Sequence, residues 1–138
     1  MLNKAVFFHG TVILTLTALL PSCDVLEPSQ RFTVTYEVSG TFSDCTVFYI
    51  TRRDDVAPDE VNQGGQSLDE DVTIPWSHTF DVTVTPMFPF NTQISAVCTD
   101  TSENEVEVLL LVDGELEDSA QETGRNVNAL AEYRLVVN

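Results

Sequence analysis

Lysine is all but missing from this chain. Its 138 residues hold six lysines and arginines against 22 aspartates and glutamates, a formal charge of −16. So few cations cannot replace the counterions around phosphates, which excludes nucleic acid as a partner. Histidine is equally scarce, with only His9 and His78. The sequence has no nucleophile elbow, phosphate loop or dinucleotide fingerprint, so neither an enzyme nor a bound cofactor is expected. Three cysteines occur without a Cys-x-x-Cys pair, which removes the usual redox and zinc motifs. What is present is an apolar fraction of 43%. That is too much for a disordered chain, and the length suits a single globular domain.

Residues 1–22 read as an export signal. Lys4 and the chain amine make a short positive start, and an apolar stretch follows from Val6 to Leu20, broken by His9, Gly10 and three threonines. A spanning helix needs about 20 predominantly apolar residues, so a cleaved segment fits better. At its end Leu20-Pro21-Ser22-Cys23 resembles the lipobox of bacterial lipoproteins. The resemblance implies that the Cys23 thiol takes a diacylglycerol and that its freed amine takes a further acyl chain such as palmitate. Two or more chains anchor firmly, because each buried methylene contributes about 0.8 kcal/mol. Residues 23–30 then form the lipidated cysteine and a tether. The expected location is the extracytoplasmic side of a bacterial membrane.

Without the leader, 116 residues remain, with 22 acids, five arginines and no lysine, a net charge of −17. Arginine without lysine among so many acids suits concentrated salt, where screening lengths fall to about 3 Å and self-repulsion is relieved. Assigning Cys23 to lipid leaves Cys45 and Cys98 as an even pair in an oxidising compartment. A disulfide between them is expected, with two buried free thiols as the alternative.

From residue 31 onward the apolar period is two. Phe32, Val34, Tyr36 and Val38 alternate with polar residues up to Gly40, and residues 44–51 form a more apolar second strand. Residues 52–66, with Pro58 and Gly64-Gly65, read as a long acidic loop. Short strands are predicted at 72–74, 77–85, 94–98, 106–112 and 127–137, with an Asp113-Gly114 hairpin turn. Seven or so strands and no helix predict an antiparallel β-sandwich over residues 31–138.

Three short elements also carry a family resemblance. Tyr36-Glu37-Val38-Ser39-Gly40, Ile74-Pro75-Trp76 and Val112-Asp113-Gly114 follow one another in an order similar to the MmpS-like family of small bacterial membrane and lipoprotein domains. That resemblance implies an immunoglobulin-like sandwich and a role assisting a transporter or another envelope protein. The chain departs from the family in its acidic loops and at Pro86-Met87-Phe88-Pro89-Phe90. Trp76 lies 31 residues after Cys45, too far for the Cys-Trp-Cys core of an antibody domain.

Four candidate features remain. Met87, Phe88 and Phe90, in a proline-bounded segment, offer adaptable apolar area for a partner, or fold back to cap the core. Asp54, Asp55, Asp59, Asp69 and Asp71 are candidates for a calcium site, since hard cations take six to eight oxygens. Their spacing is not that of an EF-hand, and acid is spread over the whole domain, so a solvated surface is the main reading and a calcium-stabilised surface module the alternative. His78 sits on the apolar parity of its strand and reads as a core-edge residue. Trp76 reads as core.

Overall fold

The computed structural model describes residues 28–137, so the leader, Cys23 and most of the tether lie outside the described residues. The described chain forms six strands and no α-helix: β1 (Gln30–Gly40), β2 (Asp44–Thr51), β3 (Gln66–Thr73), β4 (Trp76–Val84), β5 (Phe90–Val112) and β6 (Glu115–Leu135). All pair antiparallel in one sheet, ordered β3-β2-β5-β1-β4, with β6 alongside β5.

The register explains how one sheet becomes two layers. β2 pairs with residues 94–98 of β5, whereas β1 pairs with residues 106–112 of the same strand. β6 follows β5 along both stretches. β1 passes into β2 through residues 41–43, and β3 into β4 through Ile74 and Pro75. Four ribbons therefore bend along a common line. One half-sheet holds β3, β2, the start of β5 and the end of β6; the other holds β4, β1, the end of β5 and the start of β6. The halves meet face to face: the Tyr36 ring of β1 lies 6.1 Å from Tyr49 of β2, and Phe80 of β4 lies 6.1 Å from Phe90 of β5. This is the antiparallel all-β sandwich that the period-two pattern predicts.

Three of the four ribbons carry a local irregularity at the corner. Gly40 adopts φ of 140°, beside the Glu105 carbonyl. The Ile74–Pro75 bond is cis. Residues 100–103 of β5 stand unpaired opposite Arg125 alone, a bulge that re-aims the strand. Asp100 ties that excursion together by accepting hydrogen bonds from the Thr101 amide and the Asn104 side chain.

Alternate residues fill the space between the layers. Val34, Tyr36 and Val38 of β1, Val47 and Tyr49 of β2, and Ile94, Ala96, Val106, Val108 and Leu110 of β5 are all buried. Tyr36 spans the gap, since its hydroxyl donates to the Ile50 carbonyl at 2.6 Å and accepts from the Gln93 amide at 3.2 Å. Burial raises its hydroxyl pKa far above the usual value. Tyr36→Phe leaves both backbone groups without their partner and is expected to cost about 2 kcal/mol in urea unfolding, with an unchanged slope.

The strands differ from the sequence expectation in three places. The segment at 72–74 extends back to Gln66, those at 94–98 and 106–112 are one strand, and the last strand begins at Glu115. Residues 66–71 and 115–126 lie at sheet edges, where ladder hydrogen bonds hold the chain with little burial, so they show no apolar alternation. The loop at 52–65 is also less free than its composition suggests. The Asn62 amide donates to Thr83 O at 3.0 Å, the Thr83 hydroxyl to Pro58 O at 2.8 Å and Arg52 to Asp81 O at 2.9 Å. These bonds lay the loop over part of the β4 edge, which shields it from pairing with other strands.

Candidate functional site

The densest chemistry lies where the edges of β3 and β4 face each other. Tyr49 of β2 and His78 of β4 both point inward, with ring centres 4.8 Å apart, and Trp76 lies 5.4 Å from Tyr49. Trp76 and His78 stack with only 10° between their planes. Register sets this arrangement: Val47 faces Glu70 and Tyr36 faces His78, which brings Glu70 and His78 to the same inner side. The Tyr49 hydroxyl donates to Glu70 Oε1 at 3.1 Å. Burial, then the Glu70 hydrogen bond, then the charges of Glu70 and Asp54 push its pKa up to about 12.

His78 is held below its ordinary 6.5 by burial, with Glu70 pulling weakly the other way. Its Nε2 lies 3.3 Å from the Thr51 hydroxyl. A hydroxyl beside an imidazole is the start of a nucleophilic pair. Here Thr51 is buried and presents nothing to a substrate. The cluster seals the sandwich edge, with a neutral imidazole packed among aromatic rings, in keeping with the core-edge reading of His78.

That packing makes a pH test. An unfolded His78 takes a proton near pH 6.5, whereas the folded one resists it, so stability is full above that value and falls as the solution is acidified below it. Asp81 acts lower: hydrogen bonds from Thr33 and then Arg31 hold it below its ordinary 3.8, so its contribution is lost only as pH falls through that range. His78→Gln is expected to flatten the melting temperature between pH 7 and about 5 while the decline at lower pH persists.

The other sequence candidates fall in separate places. Cys45 and Cys98 face each other across the β2–β5 ladder and are joined in a disulfide, so the free-thiol alternative is set aside. In the proline-bounded segment Met87 is 64% exposed, Phe88 is half-buried and Phe90 is 1% exposed. Phe90 is therefore core rather than contact surface, because β5 begins there and turns its ring inward against Phe80. The carboxylates do not converge. Asp55 is paired with Arg53 at 2.6 Å, Asp71 accepts from the Thr46 hydroxyl at 2.6 Å, and Asp54 and Asp59 stay in the loop. Asp69 and Asp71 share one face of β3 about 7 Å apart, with Glu70 on the other. Among the described residues no three acidic, histidine or cysteine side chains come together to hold a metal ion.

No family model and no curated protein matches this chain.

Sequence reasoning missed the Tyr49–Glu70 pair. Tyr49 stood in an apolar run and Glu70 in an acidic one, and only strand register placed them together. It also missed the outer face of the β3-β2-β5-β6 half-sheet, where Phe48, Val97 and Leu130 are exposed on three neighbouring strands. Two clefts lie on that face. One, of about 400 Å³, is lined by Asn91, Gln93, Glu132 and Arg134; the other, of about 450 Å³, by Thr46, Asp71, Val97 and Thr99.

Proposed function

We propose that this chain is a lipid-anchored binding or transport-accessory module on the extracytoplasmic side of a bacterial membrane, with no catalytic activity of its own. The Cys45–Cys98 disulfide carries the reading, since such bonds persist outside the reducing cytosol. An export leader ending in a lipobox leads to that same compartment. The resemblance of residues 36–40, 74–76 and 112–114 to the MmpS-like family points toward assisting a transporter or another envelope protein. The acidic, lysine-free surface suits a domain bathed in concentrated salt.

Metabolic labelling with palmitate tests the anchor. The wild-type chain is expected to take up label, to lose residues 1–22 and to sediment with membranes, while Cys23→Ala stays unlabelled. An unlabelled wild-type chain with a free Cys23 thiol overturns the proposal.

A further inference from the structure

One end of the sandwich lies opposite the corners at Gly40, Pro75 and residues 100–103. β1 starts there at Gln30, facing Val84 at the end of β4. Residues 85–89 carry the chain across to Phe90, which faces Leu135 at the end of β6. The Asp113-Gly114 turn lies against the same part of β1, its Asp113 amide donating to Thr33 O at 2.8 Å. Among the described residues the three most exposed large apolar side chains belong to these segments: Met87 at 64%, Leu116 at 57% and Val136 at 47%. A cleft of about 220 Å³ is lined from both the turn and the end of β6, with Phe32, Val112, Leu135 and Val136 as its apolar part.

The tether decides which end can reach a membrane. Seven residues lead from Cys23 to Gln30, at most about 25 Å at full extension. From Gln30 to Gly40 β1 runs roughly 33 Å more, at about 3.3 Å per residue. With the corners seated on the bilayer, Gln30 would stand beyond the reach of its own anchor. Two attitudes remain, one resting on the Met87 end and one lying on the outer face that carries Phe48 and Leu130. The side-lying attitude presses Asp69, Asp71 and Glu132 into the headgroups together with the apolar residues. The end carries less charge where it is most apolar, since residues 82–99 and 135–137 hold no charged side chain. Leu116 stands between Glu115 and Glu117, which keeps that hairpin at the margin.

We propose that this end of the sandwich rests on the bilayer that holds Cys23, with Met87 and Val136 in the boundary between headgroups and acyl chains. The assignment rests on the lipid-anchor reading and adds the orientation of the domain to it. Apolar side chains seated at that depth are held by burial rather than by charge, so the seating persists in concentrated salt. The corners then face away from the membrane, and the β3-β2-β5-β6 face stands free beside it.

Tryptophan fluorescence in phosphatidylcholine vesicles, with and without bromine on the acyl chains, tests the proposal. The chain is processed in cells, purified and reconstituted in full. Brominated lipid is expected to cut the added emission of Met87→Trp and of Val136→Trp about twofold, in dilute buffer and in molar salt alike. Trp76, the only native tryptophan, lies beside the Pro75 corner and should keep its emission, as should Phe48→Trp. Both test positions are exposed, and if melting curves show one variant unfolded the other carries the comparison. Unquenched emission from a folded test variant, quenching of Phe48→Trp to the same degree, or quenching that molar salt abolishes each overturns the proposal. A blue shift at residue 87 without quenching also overturns it, since the side chain is then covered by protein. Palmitate uptake is scored on the same samples. Labelled chain without quenching overturns the seating alone, whereas unlabelled chain overturns the anchor and the seating with it.

Discussion

Removing the Cys45–Cys98 bond is expected to destabilise the domain by about 4 kcal/mol. The two cysteines lie 53 residues apart in sequence, so the bond closes a long loop and strips much conformational freedom from the unfolded chain. Small domains are stable by only about 5–15 kcal/mol, so the loss is a large share of the whole. For a domain of this size it corresponds to a fall of roughly 15 °C in melting temperature. The native geometry limits any compensation. Both cysteines are buried beside Val47, Ala96 and Val127, in a core with no neighbouring group to replace the link. A Cys45→Ala/Cys98→Ala double variant compared with the wild type in oxidising buffer measures the effect. Equal melting temperatures with and without reductant would contradict it.

Gly40→Ala is expected to cost a similar amount by a different route. A Cβ at Gly40 would stand 2.1 Å from the Glu105 carbonyl oxygen, and the backbone φ of 140° disfavours any side chain. The dihedral contributes roughly 2 kcal/mol and displacement of the neighbouring strand roughly 2 more, about 4 kcal/mol in all. The site matters because Thr41 N bonds Glu105 O at 2.8 Å and the Thr41 hydroxyl accepts from the Glu105 amide, so the β1 ribbon bends against β5 at this point. Gly114 is the control. Its φ is also positive, at 82°, but nothing lies within 4 Å of a Cβ there, so Gly114→Ala is expected to cost only about 1 kcal/mol. Urea midpoints of the two variants compare them directly. Equal small losses would show that the Glu105 carbonyl yields without cost.

Residues with a buried face were legible in advance. Phe32 to Val38, Phe80 to Val84 and Val106 to Val112 alternate, and all three lie in strands with their buried residues in step. The Asp113-Gly114 turn was legible because both residues take positive φ, as such a hairpin turn demands. Residues 115–126 were not. They form an edge strand held by the β5 ladder, and a ladder bond is made by the backbone whatever the side chain. For the same reason the acid-rich run at 66–71 concealed a strand. The contact candidates divided at Phe90. Composition marks Met87, Phe88 and Phe90 alike, whereas the start of β5 decides which of them turns inward.

The sequence by itself determined that this chain is all-β, acidic and without lysine beyond Lys4, because alternation and charge are local properties written residue by residue. It also narrowed the cysteines to one plausible pair, with two free thiols as the other outcome. Only the tertiary structure decided that the pair is bonded, that four bent ribbons make the two layers, and that Tyr49 meets Glu70. It alone lined up Phe48, Ser95 and Leu130, which belong to three different strands, as one row. Those outcomes depend on register between segments far apart in the chain. A shift of one residue in any ladder sends every side chain of that strand to the opposite face, and only the packing of the whole core selects between the two.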